Sequence, residues 1–452
     1  MRLRGKRPIM TLRAGTAVRD VTPRKPTFLV GYPHVERTST GVHDPLLASA
    51  LCLREESAAL LMVAVDILQI DPPTARRLRA KIARRTGIPQ EGVFVSCTHT
   101  HSGPATMKMI AWQDDPVVPD PDPDYLALLC DGIAEAAAEA AAKTEEAEIA
   151  CTVVPVRGVG ANRHSPDGPA DPEAGALLVR KAGDKTPIAA SVVYSMHPTV
   201  LHEDSTLVSA DFPAYTRQHL REALGENVVV LYHTGPCGNQ SPRYSVSGQT
   251  FSEAERLGRI LGSAVLEAIG RLAAGDFKRE VTLAGRIASV ELPRRTMPSV
   301  AEARKKLREC TAAYERLRRE NAGHGPVRTA ECAVFGAEES VFLARCHESG
   351  ELAWRVQAYT PAEVQVLRIA DAYVAGLPGE VFVEYGLMLK EKSPARTFVV
   401  SLVNGDLQGY IVTPEAAAAG GYEAANSLFS HESGEIMASA ALRLIADLAR
   451  DA

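Results

Sequence analysis

Five short polar segments, each close behind an apolar run, hold the residue types in this chain that do chemistry. The first is Thr98-His99-Thr100-His101-Ser102-Gly103-Pro104. Two histidines at i and i+2 on an extended chain point to one side. Imidazoles so placed bind one divalent metal together, or one ligates while the other moves protons; packed or solvated histidines are the plain alternative. The second is Tyr194-Ser195-Met196-His197-Pro198-Thr199, with Ser209-Ala210-Asp211-Phe212-Pro213 downstream. Asp211 stands where a helix N-cap is expected, or where a carboxylate would orient an imidazole. The third, Thr234-Gly235-Pro236-Cys237-Gly238-Asn239-Gln240-Ser241-Pro242-Arg243, combines flexible glycines with polar side chains, so its backbone can approach a ligand closely. Ser241 is a candidate nucleophile there, but the segment lacks the G-x-S-x-G elbow of the α/β-hydrolases. The fourth, Gly376-Leu377-Pro378-Gly379-Glu380, offers a carboxylate that would complete a two-histidine metal set with a coordination position open for water. The fifth runs from Asn404 to Tyr410 and on through Thr413-Pro414-Glu415 and Gly421-Tyr422-Glu423. Tyrosines in such loops usually just pack.

The elements that must position these segments alternate between short apolar strands and amphipathic helices. Strands are expected at Ala59–Val65, Gly92–Cys97, Ala189–Met196, Val228–Tyr232, Val364–Ile369 and Ala372–Ala375. Helices are expected at Thr74–Thr86, Tyr125–Thr144, Ala214–Leu224, Glu253–Ala273 and Val300–Glu320, with loops at Asp114–Asp124 and Asn321–Gly325. The alternation favours an α/β fold with parallel strand pairs, and strand ends are where such folds place their sites. No fixed period and no long linker divides the chain. The expectation is one large body over residues 1–452, of mixed β-sheet with flanking helices, the metal site at strand ends, and a helical excursion at about 299–330.

Composition supports a globular protein and says little about partners. Of 452 residues, 46% are hydrophobic and 23% charged, so a large core can form without disulfides. The eight cysteines are widely spaced without a C-x-x-C and read as reduced thiols. A net charge of −5 without a strong basic patch argues against nucleic-acid binding. No signal-peptide pattern follows the basic start Met1–Arg7, and no apolar run reaches the length of a membrane helix. A cytoplasmic location, a small-molecule substrate and no integral membrane segment are therefore expected. The size permits a homo-oligomer, with no interface signature in the sequence.

Taken in order, these segments resemble the catalytic domain of the neutral/alkaline (non-lysosomal) ceramidase family. The likeness starts at Gly15-Thr16-Ala17-Val18-Arg19-Asp20-Val21-Thr22-Pro23. It continues through Gly31-Tyr32 and Gly41-Val42-His43-Asp44-Pro45 to the five segments above, over most of residues 12–430. The resemblance implies a zinc amidohydrolase with one Zn²⁺ per chain, held by His99, His197, Glu380 and Tyr410. It implies catalytic roles for His101, beside the developing oxyanion or as the acid that protonates the leaving amine, and for Tyr422 as an oxyanion donor. Arg163, in Ala161-Asn162-Arg163-His164-Ser165, matches a family arginine near the substrate. Ser241 matches a family serine, read here as a polar contact, and Asn239, Gln240 and Arg243 are expected to line the substrate.

The chain also departs from that family. Asn239 stands where the family loop carries aspartate, and the C-terminal immunoglobulin-like domain of full ceramidases is not expected in the residues after the last motif. No apolar helix suited to a membrane lipid is apparent. The expected substrate is therefore a soluble N-acyl amide, a lactam or a related compound. Alternatives are a true ceramide N-acyl hydrolase, a serine nucleophile at Ser241, and a non-catalytic metal-binding protein on the same scaffold. Zinc over iron or manganese rests on the family and on the mixed N/O donor set.

Overall fold

A computed structural model describes residues 11–32 and 35–450; the basic start Met1–Arg7 lies outside them. Eight strands build the larger sheet: β1 (Arg13–Asp20), β2 (Leu47–Arg54), β3 (Ala59–Val65), β4 (Val93–Cys97), β5 (Glu145–Pro155), β6 (Glu173–Lys181), β7 (Pro187–Tyr194) and β8 (Val229–Thr234). Their order is β8-β7-β6-β5-β1-β2-β3-β4. The pairs β3–β4 and β7–β8 are parallel and the rest antiparallel. Each parallel pair is joined by a helix, α1 (Pro72–Thr86) after β3 and α3 (Phe212–Leu224) after β7, as a crossover requires. Asp71 caps α1 through Thr74 N, and Gly87 closes it in the left-handed conformation.

A second sheet stacks on the first within the one body of mixed sheet and flanking helices expected. It contains β9 (Leu283–Val290), β10 (Ala362–Ile369), β11 (Ala372–Gly376) and β13 (Thr397–Val400), in that order. A separate parallel pair joins β12 (Glu380–Val381) to β14 (Tyr410–Ile411). Strand alternation produces the layering. In β3, Leu61, Val63 and Val65 face α1 and the Ala-rich α2 (Pro123–Ala142), while Leu60, Met62 and Ala64 join Leu367, Val374 and Phe398 between the sheets. Helix α4 (Phe251–Gly270) covers the β6–β8 half with α3. The result is helices on sheet on sheet on helices, a mixed α/β fold.

The outer layer comes from the C-terminal half. It holds α8 (Val383–Lys392) and α11 (Ser433–Arg450), with short helices α9 (Pro414–Ala419) and α10 (Tyr422–Asn426) between them. The helical excursion is longer than expected. Helix α5 (Val300–Arg319) begins at a reciprocal cap between Ser299 and Glu302. It is followed after a short turn by α6 (His324–Glu348) and α7 (Glu351–Arg355). Most of the expected loop Asn321–Gly325 is that turn, and its end already belongs to α6. Gly336 of α6 lies against α10: a Cβ there would stand 3.0 Å from Tyr422 Cα.

The larger sheet curls until its edges meet. Thr234 Oγ1, at the end of β8, donates to the Thr98 carbonyl 2.6 Å away. Ser96 Oγ in β4 lies 2.7 Å from His233 Nδ1 in β8. These bridges bring the segments after β4, β7 and β8 to one place, although β4 lies at the far edge of the sheet from β7 and β8.

Candidate metal centre

Four side chains from four strand ends converge in the buried interior. His99 follows β4, His197 follows β7, and Glu380 opens β12, parallel to β14 in a register that pairs Glu380 with Tyr410. His99 Nε2 lies 3.0 Å from His197 Nε2 and 3.3 Å from Glu380 Oε2. His197 Nε2 lies 3.1 Å from the same oxygen. His99 and His197 are each 1% exposed, Glu380 and Tyr410 6%.

His99 and His101 share a face for a reason other than the extended chain expected. His99 sits at φ 69, a left-handed conformation unusual for a residue with a side chain and costly to hold. Its amide donates to the Ile67 carbonyl, 3.0 Å away, which fixes the kink. Gly31 makes room for His101: a Cβ there would lie 2.4 Å from His101 Nδ1, and the residue has φ +123.

The tautomers follow from the main chain. His99 Nδ1 is 2.9 Å from Leu68 O, His197 Nδ1 is 2.7 Å from Cys237 O, and His101 Nδ1 is 3.0 Å from Gly31 O. A carbonyl only accepts, so all three Nδ1 atoms carry the proton. Each neutral imidazole therefore turns a bare Nε2 lone pair inward. The three ligand atoms lie within 4.8 Å of one another, and His101 Nε2 is buried with no hydrogen-bond partner among the described residues. Lone pairs and a carboxylate oxygen at this separation repel one another unless a cation stands among them. The nitrogen and oxygen donors fit a divalent metal ion.

The charges are coupled: Glu380 favours a cation beside it, either a proton on an imidazole or a metal ion. The two nearby histidines outweigh burial and hold Glu380 well below the usual carboxylate range. Burial pulls His197 down to about 4 and, with His99 and His197 nearby, His101 far below its ordinary value. Burial alone would also lower His99, but Glu380 beside it pushes that imidazole up. Burial, then the Glu380 charge, keeps the Tyr410 phenol protonated well above its usual range, so only a strong cation would turn it into a phenolate ligand.

A cavity of about 1080 Å³ opens from this cluster, lined by His101, His197 and Tyr410 among others. Arg163 lies on its wall with Nε 2.6 Å from Glu423 Oε1, its Cζ 5.0 Å from the Tyr410 ring centroid, and a hydrogen bond to Gly238 O. His164 Nε2 holds the other Glu423 oxygen at 2.8 Å. Burial opposes ionisation of Glu423, but Arg163 and His164 prevail and bring it down to about 2. Tyr422 also lines the cavity, its ring 5.7 Å from that of Tyr410. Burial, then Glu339, raises its phenol far above the usual range.

The loop after β8 divides. Arg243 and Ser241 line the cavity. Ser241 Oγ accepts from Arg243 N at 3.2 Å, and among the described residues no imidazole is hydrogen-bonded to it to act as base. Asn239 and Gln240, expected against the substrate, are buried behind the wall. Asn239 accepts from Val383 N and donates to Glu384 at 2.8 Å, and Gln240 donates to Pro169 O and Asn239 at 3.0 Å. These hydrogen bonds make them braces of the loop. Asp211 takes its capping role: its carboxylate accepts from Phe212 N at 2.5 Å and Leu201 N at 2.9 Å, and it orients no imidazole.

Two contributors carry little signal in sequence. Glu423 follows Tyr422 in a quoted segment, but nothing there pairs it with Arg163. Arg37, 1% exposed, donates to the His101 and His202 carbonyls and braces the His101 backbone. All eight cysteines are free thiols.

The fold and the site together define a ceramidase-like hydrolase. The model of the neutral/alkaline non-lysosomal ceramidase family, N-terminal region, matches residues 12–243, and the chain belongs to that family. Among solved structures, one described as "Ceramidase complexed with C2" aligns with a TM-score of 0.76 at 19% identity, over 98% of this chain and 76% of that one. The neutral ceramidase from Pseudomonas aeruginosa aligns with a TM-score of 0.74 at 19% identity, over 97% and 75%. At that identity the likeness shows the fold. No curated protein matches the chain. Among the described residues no helix is long and apolar enough to cross a membrane.

Proposed function

We propose that this chain is a zinc-dependent amidohydrolase that cleaves the C–N bond of a soluble N-acyl amide, lactam or related compound. The observation that carries this reading is the set of three inward Nε2 lone pairs around the Glu380 carboxylate, each imidazole locked by a backbone carbonyl. His99, His197, Glu380 and Tyr410 would hold the ion. When bound, zinc supplies Lewis acidity, polarising a carbonyl and acidifying water.

The chain's own residues do the rest. His101 Nε2, neutral and unpartnered, accepts a proton as water attacks and returns it to the leaving amine. The Tyr422 hydroxyl, kept protonated, donates a hydrogen bond to the oxygen that gains charge. Arg163, anchored by Glu423, holds the Tyr410 ring in place. Ser241 is a polar contact on the wall. The test is hydrolysis of N-acyl amides, lactams and ceramide by purified protein before and after chelation. Activity that disappears with chelator and returns with zinc supports the reading; activity indifferent to chelation contradicts it.

A further inference from the structure

Among the described residues, the cavity wall leaves one arginine without an ion pair of its own. Arg163 is paired with Glu423 at 2.6 Å. Arg328 is paired with Glu203 at 2.9 Å and Glu331 at 2.7 Å. Arg243 is half-buried on the same wall, and among the described residues its side chain makes one hydrogen bond, a long 3.5 Å approach to Thr329 Oγ1. Among the described residues no carboxylate lies within ion-pair distance of it. Burial, then the neighbouring Arg163, disfavours its charge, and Glu423, already paired with Arg163, offsets this only in part. A guanidinium desolvated beside another cation and given no counter-ion costs stability, and a bound anion removes that cost. Its planar fork matches a carboxylate with two parallel hydrogen bonds.

We propose that Arg243 reads a carboxylate on the substrate, so that the hydrolase acts on amides that carry a negative charge near the scissile bond. This rests on the amidohydrolase reading of the same cavity. One unpaired charge calls for a monoanion, which favours a carboxylate over a dianionic phosphate. An uncharged lipid amide would leave Arg243 as it stands.

The experiment measures wild-type and Arg243→Gln zinc-loaded protein on matched pairs: N-hexanoylglycine against N-hexanoylglycinamide, followed by hexanoate release, and N-succinyl against N-butyryl butylamine, followed by butylamine release. The first pair puts the carboxylate on the amine side and the second on the acyl side, so the better pair locates it. Wild type should prefer the anionic member of one pair by about tenfold or more in kcat/KM. In Arg243→Gln that ratio should fall toward one, mainly through KM, with Arg243→Lys recovering part of it and melting temperature equal or higher. Equal use of both members by wild type, or equal loss on both in Arg243→Gln, overturns the proposal. Should no amide be hydrolysed, the enzymatic reading fails and calorimetry with N-hexanoylglycine and N-succinyl butylamine decides this one. Tighter binding of either by wild type than by Arg243→Gln sustains the anion site, and no difference for either overturns it.

Discussion

Glu380 and Tyr410 sit side by side in register across the parallel strands β12 and β14, with all of α8 and β13 between them in sequence. Two residues of ladder suffice to put Tyr410 beside the Glu380 carboxylate, which meets His99 and His197. The pairing gives Tyr410 a local electrostatic environment set by Glu380 and Arg163.

The division between holding a metal and moving a proton can be read from His101. His101→Gln should retain zinc while kcat falls by about 10²–10⁴-fold, the usual loss of a general acid–base. Metal content and steady-state kinetics on the same preparation check it. Loss of zinc in this variant would make His101 a third imidazole ligand.

Gly31→Ala should resemble that variant. Its Cβ would lie 2.4 Å from His101 Nδ1 on a backbone with φ +123, so the imidazole must shift and Leu68 and Cys237, which hold the other two, are untouched. Turnover should drop at least tenfold with zinc stoichiometry preserved, measured by kinetics and elemental analysis.

The Arg163–Glu423 pair is buried, with Arg163 8% and Glu423 5% exposed. Breaking a buried pair strands the remaining charge. Arg163→Met should therefore cost about 3–5 kcal/mol in urea unfolding, and Glu423→Gln should lower stability as well. Retention of full stability in Arg163→Met would show that Glu423 is neutralised by other means.

Glu339 on α6 gives the protein a pH-dependent stability. It is 1% exposed, accepts from Trp112 Nε1 at 2.7 Å and from the Asn426 amide, and faces Glu338, Asp115 and Glu380. Burial raises it from 4.5 to about 8. The folded chain thus keeps a proton that the unfolded chain releases between those values, so its contribution is full below about pH 4.5 and is lost as pH rises toward 8. The slope is up to about 1.4 kcal/mol per unit. Glu339→Gln should flatten it, as judged by urea midpoints between pH 5 and pH 8. An unchanged slope would contradict the assignment.

Much of the site was legible because its residues follow apolar strands that announce themselves. Val93–Cys97 before His99, and Pro187–Tyr194 before His197, are short runs rich in β-branched residues. Helix α5 was readable from its spacing, whereas α6 has no side-chain cap at Gly323 and starts inside what reads as a loop. The second sheet was hidden because burial on both faces looks the same whether the cover is helix or strand. The left-handed backbone of His99 is imposed by carbonyls on the neighbouring segment, and no local residue type signals it. Asn239 and Gln240 read as substrate contacts because a polar loop side chain carries no mark of which way it turns.

The most direct measurement is the zinc content of purified wild type beside His99→Ala and Glu380→Gln, with circular dichroism as the folding control. About one zinc per chain in wild type, lost in both variants while the fold persists, is the predicted result. No metal in wild type after zinc is offered, or undiminished zinc in the variants, would contradict the metal centre and the hydrolytic mechanism built on it.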